Sequence, residues 1–194
     1  MLNSDNAAKL KAALFQGGHL NREMIAREVE QVLKVADITL PNAKGTKFLV
    51  LPAESIGSDY PESGEKLSVV LSLYRARDFD QAKEITAKIL SHQGAGHSIG
   101  IHTTDQSRAT ELGFSMPICR VIVNQAHCFA TGGAFNNGMP FSLSMGCGSW
   151  GGNSIDDNLH YRHFMNITKI VREIPAREPS LESIFNDYWQ QVGQ

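Results

Sequence analysis

The sequence predicts an α/β layered fold, with a mainly parallel sheet and flanking helices. Two observations carry that expectation. Helical and strand-like stretches alternate, in the order α, α, β, β, α, β, α, β, long loop, β, α. The stretch Ser63 to Thr103 also reads as one strand–helix–strand crossover. Two parallel strands joined by a helix enter their sheet at the same edge. That places Glu65, just before the first strand, and His97, at the start of the second, on one rim.

In chain order, Ser4 or Asp5 caps a helix carrying Ala8, Leu10, Ala13 and Leu14, and Gly17-Gly18 ends it. A second helix starts at Asn21, with an apolar stripe of Ile25, Val29, Val32, Leu33 and Ala36, and Pro41 stops its continuation. Lys47–Leu51 is a short strand, and the acidic Glu54–Glu62, with Gly57 and Pro61, is a surface loop. Leu67–Tyr74 is a β-branched apolar run suited to a strand packed on at least one face. Asp78 caps a helix bearing Phe79, Ala82, Ile85, Ile89 and Leu90, which Gly94-Ala95-Gly96 stops before the strand His97–Thr103. Thr104 or Asp105 caps a brief helix closed by Gly113, and Ile118–Asn124 is another buried strand. Ala126 to Asn153 is a long segment with seven glycines and scattered Phe129, Phe135, Phe141 and Trp150. A loop of that length in a compact domain is functional or packed against something. Phe164–Ile174 alternates as a strand does, Pro175 ends it, and Ser180 caps a last helix with Leu181, Ile184, Phe185, Tyr188 and Trp189 on its apolar face.

Composition narrows the function. The chain of 194 residues is 42% hydrophobic and 20% charged, as expected for one globular domain with or without appendages. A net charge of -2 gives no electrostatic case for nucleic acid or an anionic membrane surface. No apolar run approaches the roughly 20 residues that span a bilayer, and the N-terminus lacks a secretory signal pattern. Cys119, Cys128 and Cys147 are odd in number and lack CxxC spacing, which argues against a disulfide scaffold or a structural zinc and for a reducing cytoplasm.

The residues that can carry chemistry are few. Glu65 can hydrogen-bond a sugar hydroxyl or act as a base, or it is a solvated carboxylate beside Lys66. His97 follows glycines that bring its ring close to a ligand, where imidazole can deprotonate a thiol or water; otherwise it is a histidine bonded at a strand start. His127 and Cys128 are adjacent, and on an extended segment they point to opposite faces, so the imidazole is poorly placed to activate that thiol. Cys147 lies in Gly146-Cys147-Gly148, and free cysteines are mostly small buried hydrophobes. His97 and His102 fall on opposite faces of one strand, which argues against a metal site. The string from Gly146 fits GxGxxG spacing without the strand and helix that a dinucleotide fingerprint needs, so close backbone approach is its better explanation.

Five strings together resemble the CoA-acylating aldehyde dehydrogenases, including the aldehyde half of bifunctional aldehyde/alcohol dehydrogenases. They are Ser63-Gly-Glu-Lys-Leu-Ser, Tyr74-Arg-Ala-Arg-Asp-Phe, Gly94-Ala-Gly-His-Ser, Arg120-Val-Ile-Val-Asn and Gly146-Cys-Gly-Ser-Trp-Gly-Gly-Asn-Ser. The resemblance runs from about Leu10 to Pro175. It implies the fold of that family's catalytic domain over residues 1–160, an oligomerisation strand over 161–175 and a C-terminal tail helix over 176–194. It also implies a reaction in which a cysteine thiol attacks the aldehyde, hydride passes to NAD or NADP, and coenzyme A takes the acyl group. Glu65 would then hold the ribose beside the nicotinamide, with Leu67 against the ring. His97 would assist acyl transfer, while Asn124, Phe141 and Trp150 would line or buttress the substrate cavity. Phe164–Ile174 would add to a neighbouring subunit's sheet in a homo-oligomer. Val69 replaces a common proline of the family, a local packing change. The three cysteines do not match the nucleophile's context, which by resemblance lies upstream with the cofactor domain. The expectation is therefore a C-terminal part of such an enzyme, inactive alone. An assembly module without catalysis and a thiol enzyme using Cys147 are the alternatives.

Overall fold

The computed structural model describes residues 2–193. The chain divides into two units, Met1–His160 and Tyr161–Gln194.

The first unit begins with α1 (Ser4–Leu14), capped by Asn3, whose side-chain oxygen accepts the Asn6 amide at 2.9 Å. Gly17 and Gly18, at φ +57° and +79°, turn the chain between β1 (Phe15–Gln16) and β2 (His19–Leu20). Two positive φ values in succession are what a tight two-residue hairpin requires. The continuous helix expected from Asn21 does not form. A 3-10 turn at Arg22–Met24 is followed by Ala26 at φ +53°, and only then by α2 (Val29–Val35). The break has a partner: the Ala26 amide donates to the Leu67 carbonyl at 2.9 Å. The stripe Val29, Val32, Leu33 and Ala36 is buried nonetheless, in a core with Leu10, Leu14, Met24, Leu49, Leu51 and Val70. Strands β3 (Leu49–Pro52) and β4 (Val70–Leu73) are parallel, with Leu49 opposite Val70. Both are shorter than the sequence suggests. The end of the acidic stretch lies inside, not on the surface. Glu62 is 2% exposed and takes Lys11 Nζ at 2.6 Å, because a buried carboxylate needs a counter-charge.

A second core follows. α3 (Phe79–Gln93) is capped by Asp78, whose carboxylate accepts the Gln81 amide at 2.8 Å, and ends at Gly94, φ +109°. β5 (Ile99–Ile101), α4 (Gln106–Ser115) and β6 (Val121–Val123) form a parallel crossover with Ile99 opposite Val121. Gly113 lies within α4, which runs on to Ser115. Leu112, Met116 and Ile118 are buried here against Phe79, Ala87 and Leu90 of α3.

The crossover that closes is thus β5–α4–β6, and among the described residues Leu67–Tyr74 and His97–Thr103 do not belong to one sheet as expected. Each described sheet has two strands, and β4 and β5 lie in different ones. They serve separate cores. A cleft of about 1100 Å³, lined by Leu73, Tyr74, Ile85, Lys88 and His92, also lies between the ends of β3–β4 and α3. After β6 the long segment opens with a short helix, α5 (His127–Ala130).

The second unit holds a 3-10 turn at Tyr161–Phe164 and α6 (Leu181–Val192), where the Ser180 hydroxyl accepts the Ser183 amide at 3.1 Å. Residues 165–179 form no regular strand. A strand exists by pairing with a neighbour, and the ladders of the described residues all lie in the first unit. No helix among the described residues is long and apolar enough to cross a membrane.

Candidate functional site

The site is organised by Arg120, at the entry to β6. It is 5% exposed. Its Nη1 donates to the carbonyls of His97 (3.3 Å) and Gly146 (2.9 Å), and its Nε donates to Asn158 Oδ1 at 3.2 Å. Asn158 is fully buried and gives both amide protons to the carbonyls of Thr131 (2.9 Å) and Pro140 (2.8 Å). Two polar side chains thereby fasten the glycine-rich segment to the loop that carries His97. The segment then pairs with its own continuation: the Gly146 amide donates to the Asp157 carbonyl and the Gly148 amide to the Ile155 carbonyl, both at 2.9 Å. A Cβ on Gly146 would overlap the Ile155 backbone, so close approach explains this glycine. Gly96, at φ +105°, is hemmed in by the Cys147 backbone in the same way.

His97 is exposed at the end of this fastened loop. The Glu65 amide donates to Gln93 Oε1 at 2.8 Å, which holds Glu65 against the C-terminal end of α3. The loop carrying His97 leaves that same helix end, so both residues flank it although their strands do not pair. Leu67, at φ +43°, is 55% exposed, and a groove of about 490 Å³ is lined by Glu65, Lys66, Leu67, Leu71 and Ile89. Burial pulls the Lys66 ammonium below its ordinary pKa, with the Glu62 carboxylate opposing, and its Nζ donates to the carbonyls of Glu62 and Gly64. Asn124 spends both ends of its side chain on Thr103, accepting its amide and donating to its carbonyl at 2.8 Å each, and so extends the β5–β6 ladder. Phe141 is 61% exposed and meets Phe135 edge to face at 5.0 Å. Trp150 is 54% exposed on the 3-10 turn Ser149–Gly151.

One participant escapes the sequence reading. The Ser98 hydroxyl lies 2.6 Å from His97 Nδ1 and 2.8 Å from His127 Nε2. His127 begins a helical turn, not the extended segment assumed for it, and the turn swings its ring beneath β5. Burial, followed by the nearby His97, lowers its pKa. The apolar run ends at Val123, so nothing in the sequence requires an extended backbone at His127.

No protein-family model matches the chain. It is 43% identical over 194 residues to a sulfoacetaldehyde dehydrogenase (acylating) of Cupriavidus necator, covering 100% of this chain and 39% of that protein. It is 35% identical over 184 residues to a succinate-semialdehyde dehydrogenase (acetylating) of Clostridium kluyveri, covering 94% of this chain and 40% of that one. A crystal structure of an acetylating aldehyde dehydrogenase from Geobacillus thermoglucosidasius superposes with a TM-score of 0.80 at 31% identity, over 91% of this chain and 39% of that chain. The chain is a homologue of the acylating aldehyde dehydrogenases. It spans about 39% of the length of the Cupriavidus relative.

In this acylating aldehyde dehydrogenase homologue all three cysteines are free. Cys128 is exposed, whereas Cys119 and Cys147 are half-buried. Burial pushes the Cys119 thiol up, Arg120 opposes the shift, and Asp156 adds to it. Cys147 donates its amide to Asn153 Oδ1 at 2.8 Å, a contact that shapes the glycine-rich turn.

Proposed function

We propose that the chain forms the C-terminal catalytic portion of an NAD(P)-dependent, CoA-acylating aldehyde dehydrogenase acting on a small aldehyde. One observation carries the reading: the chain aligns over its whole length with a sulfoacetaldehyde dehydrogenase (acylating). The site's geometry is compatible with it, since His97 is exposed on a loop that Arg120 holds in place. When bound, NAD(P)+ supplies the hydride acceptor and coenzyme A the acyl acceptor. The residues present fit such groups. Glu65 offers an exposed carboxylate to sugar hydroxyls, and Leu67 presents an exposed apolar face to a flat ring. His97 assists acyl transfer. Phe141 and Trp150 form apolar walls of the aldehyde cavity, and Asn124 buttresses it through Thr103.

Residues 164–174 join a neighbouring copy. Ile167, Ile170, Val171 and Ile174 are 70–88% exposed, a large apolar surface for a segment that must meet water. Static light scattering is expected to give a dimer or larger, and a monomer with freely exchanging amides over 164–174 overturns that assignment. The free thiols suit a cytoplasmic setting.

The experiment for the site follows backbone resonances while NAD+, NADP+ or coenzyme A is added to the 194-residue chain. Glu65 and Leu67 are expected to respond to the dinucleotides and His97 to coenzyme A. Glu65→Gln should weaken the dinucleotide response about tenfold, the worth of one hydrogen bond to a charged group. No response, or responses confined to another face, sinks the reading.

A further inference from the structure

We propose that one parallel strand, from the part of an acylating aldehyde dehydrogenase that this chain does not span, seats itself beneath α3 between the open edges of β4 and β5. The proposal rests on the functional reading above for what the partner is, and on this fold alone for where it docks.

Two parallel strands joined by a helix ordinarily share a sheet that the helix covers. α3 makes such a connection between β4 and β5. The Glu65 amide donates to Gln93 Oε1 at 2.8 Å, which brings the end of α3 back to the level where β4 begins. β5 therefore sets out from the same rim and runs the same way. Yet each strand pairs only outward, β4 with β3 and β5 with β6. The ladders fix which groups are left over. The Leu49 amide donates to the Val69 carbonyl and the Ala53 amide to the Leu73 carbonyl, so Val70 and Ser72 turn their backbone groups to the opposite edge. On β5 the Ile99 amide donates to the Arg120 carbonyl and the Ile101 carbonyl accepts from Asn124, so Gly100 does the same. The amides of Val70, Ser72 and Gly100 have no partner among the described residues.

The helix is uncovered as well. An amphipathic helix buries its apolar stripe against a partner surface, but no residue of the 15 in α3 is fully buried. Ala87 and Leu90 pack on the second core. Ile85 and Ile89 line two hollows instead, of about 1100 and 490 Å³, both bordered by Tyr74. Leu73 lines the first and Leu71 the second, and they are 42% and 51% exposed.

A helix is about 10 Å across and neighbouring strands are about 4.8 Å apart. Two edges that flank one inserted strand are thus about one helix width apart, and a single helix covers all three. A strand enclosed in this way is a short, uncharged, β-branched run. The chain spans 39% of the Cupriavidus relative, which leaves ample length to supply one.

The test co-expresses the 194-residue chain with the portion of the Cupriavidus necator relative that it does not cover, as a second polypeptide. A one-to-one complex is expected by light scattering. Hydrogen exchange at Val70, Ser72 and Gly100, fast in the chain alone, should slow by at least about tenfold in the complex. Leu71→Lys keeps the chain folded, because the side chain is half exposed, but sets an ammonium against an apolar strand. It should weaken the complex by at least about tenfold. A second polypeptide that stays insoluble or unbound beside the chain overturns the proposal. So does a complex that leaves the three amides fast or ignores Leu71→Lys. Slow exchange at these amides in the chain alone also overturns it, since the edges are then closed already or taken by a second copy. No aldehyde or cofactor is added, so failure here is distinct from failure of the ligand experiment.

Discussion

Replacing Asn158 by alanine is expected to lower the unfolding free energy of the first unit by about 3 kcal/mol or more. The side chain is fully buried and all of its hydrogen-bonding capacity toward this region is used. Its loss strands the carbonyls of Thr131 and Pro140 and leaves Arg120 Nε without its acceptor. A stranded buried group costs about 1–3 kcal/mol, and Arg120 already has one buried nitrogen, Nη2, with no partner. Asn158→Asp separates the two roles. It keeps an acceptor for Arg120 but turns a carboxylate toward two carbonyls, so it should be no better than alanine. Urea unfolding followed by circular dichroism checks both variants. A midpoint unchanged by Asn158→Ala would mean that the glycine-rich segment is held by something else.

Gly96→Ala is the second large effect, expected at about 3 kcal/mol from two independent causes. At φ +105° the backbone leaves the region open to a residue with a Cβ. The added carbon would also press on the carbonyl and Cβ of Cys147, and backbone cannot swing aside as a flexible side chain can. Gly113→Ala is the matching control. That glycine lies inside α4, with nothing within 4 Å of an added Cβ. Alanine there should stabilise by about 0.5–1 kcal/mol. If the two substitutions cost the same in thermal unfolding, the crowding at Gly96 is not real.

The elements that can be read from the sequence are those whose causes are local. Asp78 and Ser180 cap their helices as expected, since a cap is decided within a few residues. The stripe from Val29 to Ala36 is buried as expected, but the helix around it is broken. Ala26 leaves helical geometry to bond Leu67, a contact 41 positions away that no periodicity can report. Strand partnership fails for the same reason. The runs before α3 and after it are both good strand sequences, and nothing within either says that they serve different cores. At the site, exposed His97 and Glu65 sit at one helix end, but the join runs through Gln93, not through a shared sheet. Arg120, Asn158 and His127 look ordinary in sequence. Their roles arise from partners 18 to 38 positions distant.

Every strand described here has a partner on one side only. Each therefore offers a row of amide and carbonyl groups along its other side, and on β4 these run beside Leu71 and Leu73, which are 51% and 42% exposed. Such a margin is a template on which further polypeptide can crystallise its own backbone. Left bare at high concentration, it invites stacking between like molecules. Laid against a matching strand, it becomes the seam along which a larger sheet is sewn.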